Sequence, residues 1–411
     1  MVFAGNGLIS RMNIRSSITA NRHHCAVQVG LLSLLLVPWN SYAATTMKPT
    51  LYSQYSYDSN VYRLSNTEMT QVNQPYDSTL TQGASIDLNS NYQDYTLSAG
   101  ADVSKLEYSY YNMLDHQNRE YSLGFTGLLG NIWNYGIAWQ QTNQLTEFTG
   151  ETAYFDSKNL LRSNQSGLNI AWQFSADWRS QLELTWQSKN YSHTAYRAWN
   201  QDDATAKMSF EYNHAPGWLK PFVSTREERY PDRDVTPSGL LDNRNRLFAL
   251  GNDMQITFAG HSTLYSTIAI NAQKFINKPE HDHVWPQFHI KYRWDPSFKT
   301  SFSLSYTHHS HPVELQQANF VKTDGVTFAT EWSPQNNITL AADLNRTLDD
   351  YDETTGIRRR DGSTAIDGSI RYQLLKYLQT SLRLRHQTKG SSNNAYAFDA
   401  EMMTITVSIQ Y

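Results

Sequence analysis

The sequence contains almost no cysteine, no long apolar run and no strong excess of either charge. The only cysteine among 411 residues is Cys25, and the net charge is -4. The rest of the chain therefore has no disulfide, cysteine-ligated metal or thiol nucleophile. A mean hydropathy of -0.59 is too polar for a bundle of membrane helices, each of which needs about 20 apolar residues. No cluster of lysine and arginine indicates nucleic-acid binding.

The one apolar run predicts a secretory signal peptide over residues 1–43. It extends from Val27 to Pro38 and is followed by Ser41-Tyr42-Ala43, which has the small-x-small pattern that signal peptidase reads. The run is too short to serve as a membrane anchor. Translation starts either at Met1 or at Met12, and we expect the mature chain to begin at Ala44. The basic stretch before the run carries three arginines: Arg11, Arg15 and Arg22.

Aromatic residues are abundant, at 13% of the chain with 26 tyrosines. Many tyrosines and tryptophans in a chain of low mean hydropathy are typical of a transmembrane β-barrel. One face of such a barrel meets lipid, the other meets water, and aromatic side chains mark the two interfaces. Composition therefore favours a barrel in the outer membrane of a Gram-negative cell.

Apolar and polar residues alternate with a period of two through the mature chain, which indicates strands. The last segment shows this clearly, with apolar residues on one face and Thr404, Thr406 and Ser408 on the other. No segment shows a convincing helical period. The apolar face of the last segment ends on an aromatic C-terminus: Met403, Ile405, Val407, Ile409, Tyr411.

Short and long connections take turns between the predicted strands. This is typical of an antiparallel up-and-down barrel with short periplasmic turns and long external loops, and it predicts about 18 strands over residues 44–411. Short turns are predicted at 89–91, 129–131, 175–177, 214–217, 259–260, 295–296, 333–334 and 375–376. Long polar loops are predicted near 63–79, 107–118, 143–163, 190–203, 228–244, 275–284, 308–321, 349–363 and 388–396.

A barrel of this strand number predicts an aqueous lumen, because 16–18 strands enclose more space than side chains fill. The polar face carries lumen acids such as Glu331, Asp343 and Asp367. The basic residues on that face either select an anionic solute or pair with these acids and stiffen the wall, as in most wide barrels. The predicted lumen-lining bases are Lys291, Arg293, Lys299, Arg371, Arg383 and Arg385.

The first predicted strand carries a motif that ends Tyr57-Asp58-Ser59-Asn60-Val61-Tyr62-Arg63. It resembles the opening strand of the EpsL-type outer-membrane barrels, which are encoded with exopolysaccharide synthesis genes. The resemblance implies export of a polysaccharide, together with periplasmic and inner-membrane components of its synthesis. By alternation, Asp58 and Asn60 are predicted to face the lumen near the external rim. There they would either hydrogen-bond sugar hydroxyls or cap the first loop.

The leading functional prediction is therefore a channel that exports a secreted exopolysaccharide. The alternatives are a general or sugar-uptake diffusion porin, and a structural or adhesive barrel whose loops bind a surface ligand. No Gly-x-Ser-x-Gly element supports an enzyme.

No cofactor or metal is predicted, because the loop histidines His281, His283 and His308–His311 are more typical of solvated side chains. The expected partners are polysaccharide, outer-membrane lipid and lipopolysaccharide. Arg358–Arg360 either contact lipopolysaccharide phosphates or pair with the acidic run at 349–353.

Overall fold

The computed structural model describes the chain from Ala44 onward, apart from six short gaps. The predicted signal peptide lies outside the described residues. Among the described residues, no helix is long and apolar enough to cross a membrane. The described ranges are 44–130, 132–148, 158–235, 242–258, 260–312, 318–353 and 359–411.

Eighteen strands form one closed antiparallel sheet, which confirms the predicted up-and-down barrel. Each strand pairs with its neighbours in sequence, and β1 closes the barrel by pairing with β18 from Thr50↔Gln410 to Asp58↔Met402. The strands are β1 Ala44–Asp58, β2 Asp77–Tyr92, β3 Tyr95–Tyr108, β4 His116–Leu129, β5 Trp133–Leu145, β6 Leu160–Gln173, β7 Trp178–Tyr191, β8 Gln201–His214, β9 Gly217–Arg229, β10 Arg244–Phe258, β11 Ser262–Phe275, β12 His283–Ser297, β13 Thr300–Pro312, β14 Ala318–Gln335, β15 Ile338–Glu353, β16 Arg359–Leu375, β17 Leu378–Ser391 and β18 Phe398–Gln410.

Short helices occur only in connections at the long-loop end of the described barrel. The first loop contains the helix α1, Asn66–Met69, whose N-cap Ser65 and Glu68 form a capping box. Single 3-10 turns lie at Asn112–Leu114, Thr194–Trp199, Pro279–His281 and Asn394–Tyr396.

The large apolar side chains of the strands point outward. Leu250, Ile270 and Val284 are 63%, 61% and 64% exposed, whereas the residues next to them along each strand are less exposed. A water-soluble protein rarely exposes apolar surface on this scale. A closed barrel can place that surface in lipid, because all of its backbone groups pair between strands. The outward face of the barrel is therefore the lipid-facing surface.

Aromatic rings form a girdle on the outward face beside the short turns. Trp133 stacks on Trp172 with ring centroids 5.7 Å apart, and Tyr377 stacks on the C-terminal Tyr411 at 6.2 Å. Such girdles sit at the membrane–water interface, and short turns face the periplasm. The barrel thus belongs in the Gram-negative outer membrane, with its longer loops outside.

Two of the predicted short turns were placed too early, at Pro296 and Pro334. Both prolines lie inside strands, and the turns follow at 298–299 and 336–337. The strand register shifts beside each proline, between Trp294 and Ser297 and between Trp332 and Gln335. A β-bulge accommodates a residue that has no backbone N–H, so these prolines do not end their strands.

The other boundary errors have one common cause: the strands extend further than the apolar pattern does. The turn predicted at 89–91 lies at 93–94, where Gln93 adopts a left-handed backbone with φ 42°. Strands that continue beyond the lipid-facing band carry polar residues on both faces, so they look like loops in the sequence. The connections at the long-loop end are 59–76, 109–115, 146–159, 192–200, 230–243, 276–282, 313–317, 354–358 and 392–397.

We predict that an arginine is tolerated on the inner face of β16 but not on its outer face. Ile366 is 52% exposed and lies near the middle of β16, whereas its neighbour Ala365 faces the lumen. Ile366→Arg should lower the free energy of unfolding by about 2–4 kcal/mol, because it places a charge in hydrocarbon. Urea titration of the barrel in lipid vesicles, followed by tryptophan fluorescence, measures this. Equal losses for Ala365→Arg and Ile366→Arg would contradict the assignment of the two faces.

Candidate functional site: the external mouth of the barrel

The first external loop, residues 59–76, folds inward over the lumen. Arg63 donates to both carboxylate oxygens of Asp58, at 2.9 and 3.0 Å, and it lies 3.3 Å from the sulfur of Met402. Its guanidinium also lies 6.0 Å from the centre of the Phe398 ring. Asp58, Phe398 and Met402 are on the inward faces of β1 and β18, so Arg63 reaches the inner wall. The loop therefore covers part of the mouth.

Asn60 fastens this loop to the barrel wall. Its side-chain oxygen accepts from the backbone N–H of Leu64 at 2.8 Å, and its side-chain nitrogen donates to the carbonyls of Leu64 at 2.9 Å and Asp399 at 3.0 Å. Asn60 is fully buried. The amide of Asn60 therefore bonds within the protein and is not available to a solute. Of the two roles predicted for Asn60, sugar contact is corrected, and the structure shows the other: Asn60 caps the first loop.

Asp58 and Arg63 hold the turn that Asn60 begins. Arg63 has a positive φ of 56°, a conformation that non-glycine residues rarely adopt. The backbone N–H of Arg63 donates to the carbonyl of Asn60 at 3.1 Å, and Asp58 accepts from the N–H of Asn60 at 2.9 Å. The ion pair of Asp58 and Arg63 offsets the backbone strain. The three residues of the motif thus form one structural unit at the lumen rim.

A small apolar cluster lies behind this turn and joins three external loops. Tyr62 and Leu64 are each 1% exposed, and Leu114 is fully buried. The Tyr62 ring contacts Tyr111 of the second loop and Phe148 of the third, with centroids 4.9 and 4.7 Å apart. Within the described residues this is the only apolar cluster of buried side chains. Sequence reasoning missed it, although the run Val61-Tyr62 is an apolar pair that breaks the strand alternation.

A cavity of about 580 Å³ lies on the lumen side of the loop. Its wall combines charged groups, including Asp58, Arg63, Arg385 and Lys389, with the apolar side chain of Phe148. The other lining residues come from the first and third external loops, from β1 to β5 and from β16 to β18, so the cavity follows one arc of the inner wall. A hydrophilic solute entering from outside would pass this surface first.

Two members of the predicted arginine ladder pair with one aspartate. Arg383 lies 2.8 Å from Asp367, and Arg385 lies 3.8 Å from the same carboxylate. This pairing is the one expected of a rigid wall. Arg371 also faces the lumen, next along β16 toward the periplasm. In the described part of the chain, Arg371 has no carboxylate within 4.0 Å.

The three basic residues predicted around the β12–β13 hairpin have different environments. Arg293 pairs with Asp295 at 2.9 Å, while Lys291 has no ion-pair partner among the described residues. Lys299 lies in the turn between the two strands, and its Nζ donates at 3.1 Å to the carbonyl of Pro334 near the end of β14. The prediction that Lys299 lines the lumen wall is therefore wrong. The bulge beside Pro296 lengthens β12, so the turn comes at 298–299 and includes Lys299.

The densest set of ion pairs lies on the inner wall formed by β7 to β10, and the sequence analysis did not find it. Each pair bridges two strands of the sheet, which stiffens the wall. Opposite charges at alternate positions were visible in the sequence, but their pairing depends on strand register. The pairs are Arg179–Glu211 at 2.7 Å, Lys207–Asp253 at 2.9 Å and Arg226–Asp203 at 2.8 Å.

The histidines and arginines that the sequence places in the long loops do not form a metal site or an unpaired basic cluster among the described residues. Among the described residues, no three His, Cys, Asp or Glu side chains lie close enough together to hold a metal ion. Arg359 is buried and pairs with Asp361 at 2.8 Å, and Arg360 pairs with Asp350 at 3.4 Å. Arg358 lies outside the described residues. The two described arginines therefore pair with nearby acids.

Comparison with known proteins supports the fold. No protein-family model matches the chain, and no curated protein has a similar sequence. The solved structure of OccAB3 from Acinetobacter baumannii is similar, with a TM-score of 0.51 and 8% identity, over 90% of this chain and 100% of that one. OccAB4 from the same organism has a TM-score of 0.50 and 10% identity, over the same shares of the two chains. At such identities the likeness concerns the fold alone.

We predict that Asn60→Ala releases the first loop from the wall. The substitution leaves the N–H of Leu64 and two carbonyls without their partners, which costs about 1–3 kcal/mol per buried group. The bond between Arg63 and Leu64 should then become sensitive to trypsin in intact barrels, as measured by mass spectrometry. Asn73→Ala removes an exposed amide from the same loop and is the matched control. Equal cleavage of the two variants would show that Asn60 does not fasten the loop.

Proposed function

We propose that this barrel is a passive channel for hydrophilic solutes, with an external mouth narrowed by its first loop. One observation carries the proposal: Arg63 of the inward loop contacts Asp58 and Met402 on the inner wall, above a cavity lined by charged and apolar side chains. A lumen lined by charges, amides and hydroxyls replaces the hydration shell of a polar solute but offers little to an apolar one. The inward loop favours small solutes, as expected of a diffusion porin.

Export of an exopolysaccharide is the second candidate, because the chain resembles the EpsL-type barrels at Asp58, Asn60 and Arg63. These three residues hold the first loop in position over the external mouth. The motif would therefore set the width of the opening through which a polysaccharide leaves. In this function the partners would be the polysaccharide and the periplasmic and inner-membrane machinery that makes it. Both candidates use the same polar lumen and differ in the solute and in the direction of transport.

The part of the lumen wall formed by β16 and β17 should attract anions locally, while Asp343 faces the lumen beside it on β15. Arg383 and Arg385 share the single carboxylate of Asp367, which leaves an excess of positive charge on β16 and β17. Arg371, on the same wall, adds a positive charge that no carboxylate within 4.0 Å in the described residues compensates. Fixed charges of one sign raise the local concentration of the opposite ion.

We predict that Arg371→Gln lowers the anion-to-cation permeability ratio by roughly twofold, since one lumen charge is removed in a high-dielectric channel. Reversal potentials of the purified barrel in planar bilayers under a salt gradient measure the ratio. Arg162→Gln removes an exposed arginine from the outward face of β6 and should leave the ratio unchanged. If the folded barrel shows no conductance, it is not a channel. If Arg371→Gln leaves the permeability ratio unchanged, Arg371 does not contribute to anion selectivity.

Deletion of the gene in its host separates the two candidates. A diffusion porin predicts unchanged secretion of polysaccharide and slower uptake of small hydrophilic solutes. An export channel predicts less polysaccharide outside the cell and accumulation in the periplasm, with restoration by the wild-type gene. Both quantities are measured on the same cultures. If the deletion changes neither polysaccharide secretion nor solute uptake, the result contradicts transport by this barrel.

A further inference from the structure

Three arginines on the outward face of the barrel converge on a single glutamate. Glu227 of β9 accepts from Arg229 at 2.7 Å, from Arg244 at 2.9 Å and from Arg246 at 3.3 Å. Arg229 is the last residue of β9 and Arg244 is the first of β10, so the cluster lies at the external end of the barrel. We call these four residues the Glu227 cluster. It is independent of whatever passes through the lumen.

The cluster faces lipid rather than the lumen. Alternation along β9 places Glu227 and Arg229 on the same face as Val223, which is 52% exposed. Along β10, Arg244 and Arg246 share the face of Phe248. Successive outward positions on a strand are about 6.6–6.8 Å apart, so Arg246 lies one such step outside the apolar band. That depth corresponds to the headgroups of the outer leaflet.

The cluster has more positive charge than its carboxylate can neutralise. The side chains of Arg229, Arg244 and Arg246 are 60%, 37% and 45% exposed, so their remaining N–H groups are open to an external acceptor. The adjacent Lys274 is matched by Asp282 at 2.7 Å. Asp202 lies opposite Arg229 in the β8–β9 register. Counting Asp202 as well, three arginines face two carboxylates.

Other ion pairs on the outward face differ from this cluster. Among the described residues, Lys105 pairs with Glu107, and Arg360 pairs with Asp350, in each case one base with one acid. Only Glu227 is shared by three guanidinium groups in the described chain. A guanidinium offers a planar fork of N–H donors that matches the oxygens of a phosphate.

We propose that the Glu227 cluster binds a phosphate group on the headgroup of an outer-leaflet glycolipid, the chemistry that lipopolysaccharide presents. The excess charge supplies the attraction, the exposed guanidiniums supply the hydrogen bonds, and the apolar band below them contacts the acyl chains. Basic clusters next to a membrane's hydrocarbon region recognise anionic headgroups in this way. Glu227 competes with such a phosphate for the arginines but occupies only part of their donor capacity.

The test measures binding of diphosphoryl lipid A to the full-length barrel, expressed in a Gram-negative outer membrane and purified in detergent. Arg244→Gln combined with Arg246→Gln should bind at least about tenfold more weakly, because losing even one charge-assisted hydrogen bond has an effect of this size. Arg119→Gln combined with Arg162→Gln removes two exposed arginines from the outward faces of β4 and β6 and should bind as the wild type does. Heat-modifiable mobility on gels checks that each variant folds.

Glu227→Gln gives a test in the opposite direction. Removing the shared carboxylate frees the three arginines for phosphate, so lipid A should bind more tightly than to the wild type. Dephosphorylated lipid A should bind weakly to every variant. The proposal is overturned if the arginine double variant binds like its control, if dephosphorylated lipid A binds as well as diphosphoryl lipid A, or if Glu227→Gln weakens binding. Inorganic phosphate that binds as tightly as lipid A would indicate a site for a free anion and would also overturn it.

Discussion

The structure depends on the pairing of β1 with β18. Without it the sheet would have two open edges, and each edge would leave a row of backbone N–H and C=O groups unpaired in hydrocarbon. The register from Thr50↔Gln410 to Asp58↔Met402 removes both edges at once. Every other feature follows from closure. Once the sheet is a cylinder, alternate residues must face lipid or lumen, and the two ends of the cylinder become different surfaces.

Closure also explains why this protein has almost no conventional core. Apolar side chains on the strands face outward, where lipid takes the place of protein packing. Ion pairs between strands stabilise the lumen wall: Arg226–Asp203 joins the neighbouring strands β9 and β8, and Lys207–Asp253 joins β8 to β10 across β9. The only cluster of buried apolar side chains found in the described chain lies in the loops around Tyr62 and Leu114. Hydrophobic packing therefore positions the mouth of the barrel rather than the barrel itself.

At the external end of the barrel, the inner and outer faces present different surfaces. The inner face near the mouth presents the cavity beneath the first loop, which meets solute. The outer face at the same height presents the Glu227 cluster, which meets lipid headgroups. Both use arginine, but in different charge environments. Asp58 matches Arg63 one to one and fixes a turn, whereas three arginines share Glu227 and retain donors for another ligand.

The sequence by itself determined the class of fold, because the two-residue period is a direct consequence of strand geometry and needs no knowledge of partners. It also predicted the number of strands. Tertiary structure decided what the period cannot encode. The two-residue period predicts that Asn60 faces the lumen, but a tight turn buries it. A β-bulge beside Pro296 shifts the strand end, so Lys299 lies in a turn rather than on the wall. Which charges meet depends on register between strands, and register is fixed only when the barrel closes.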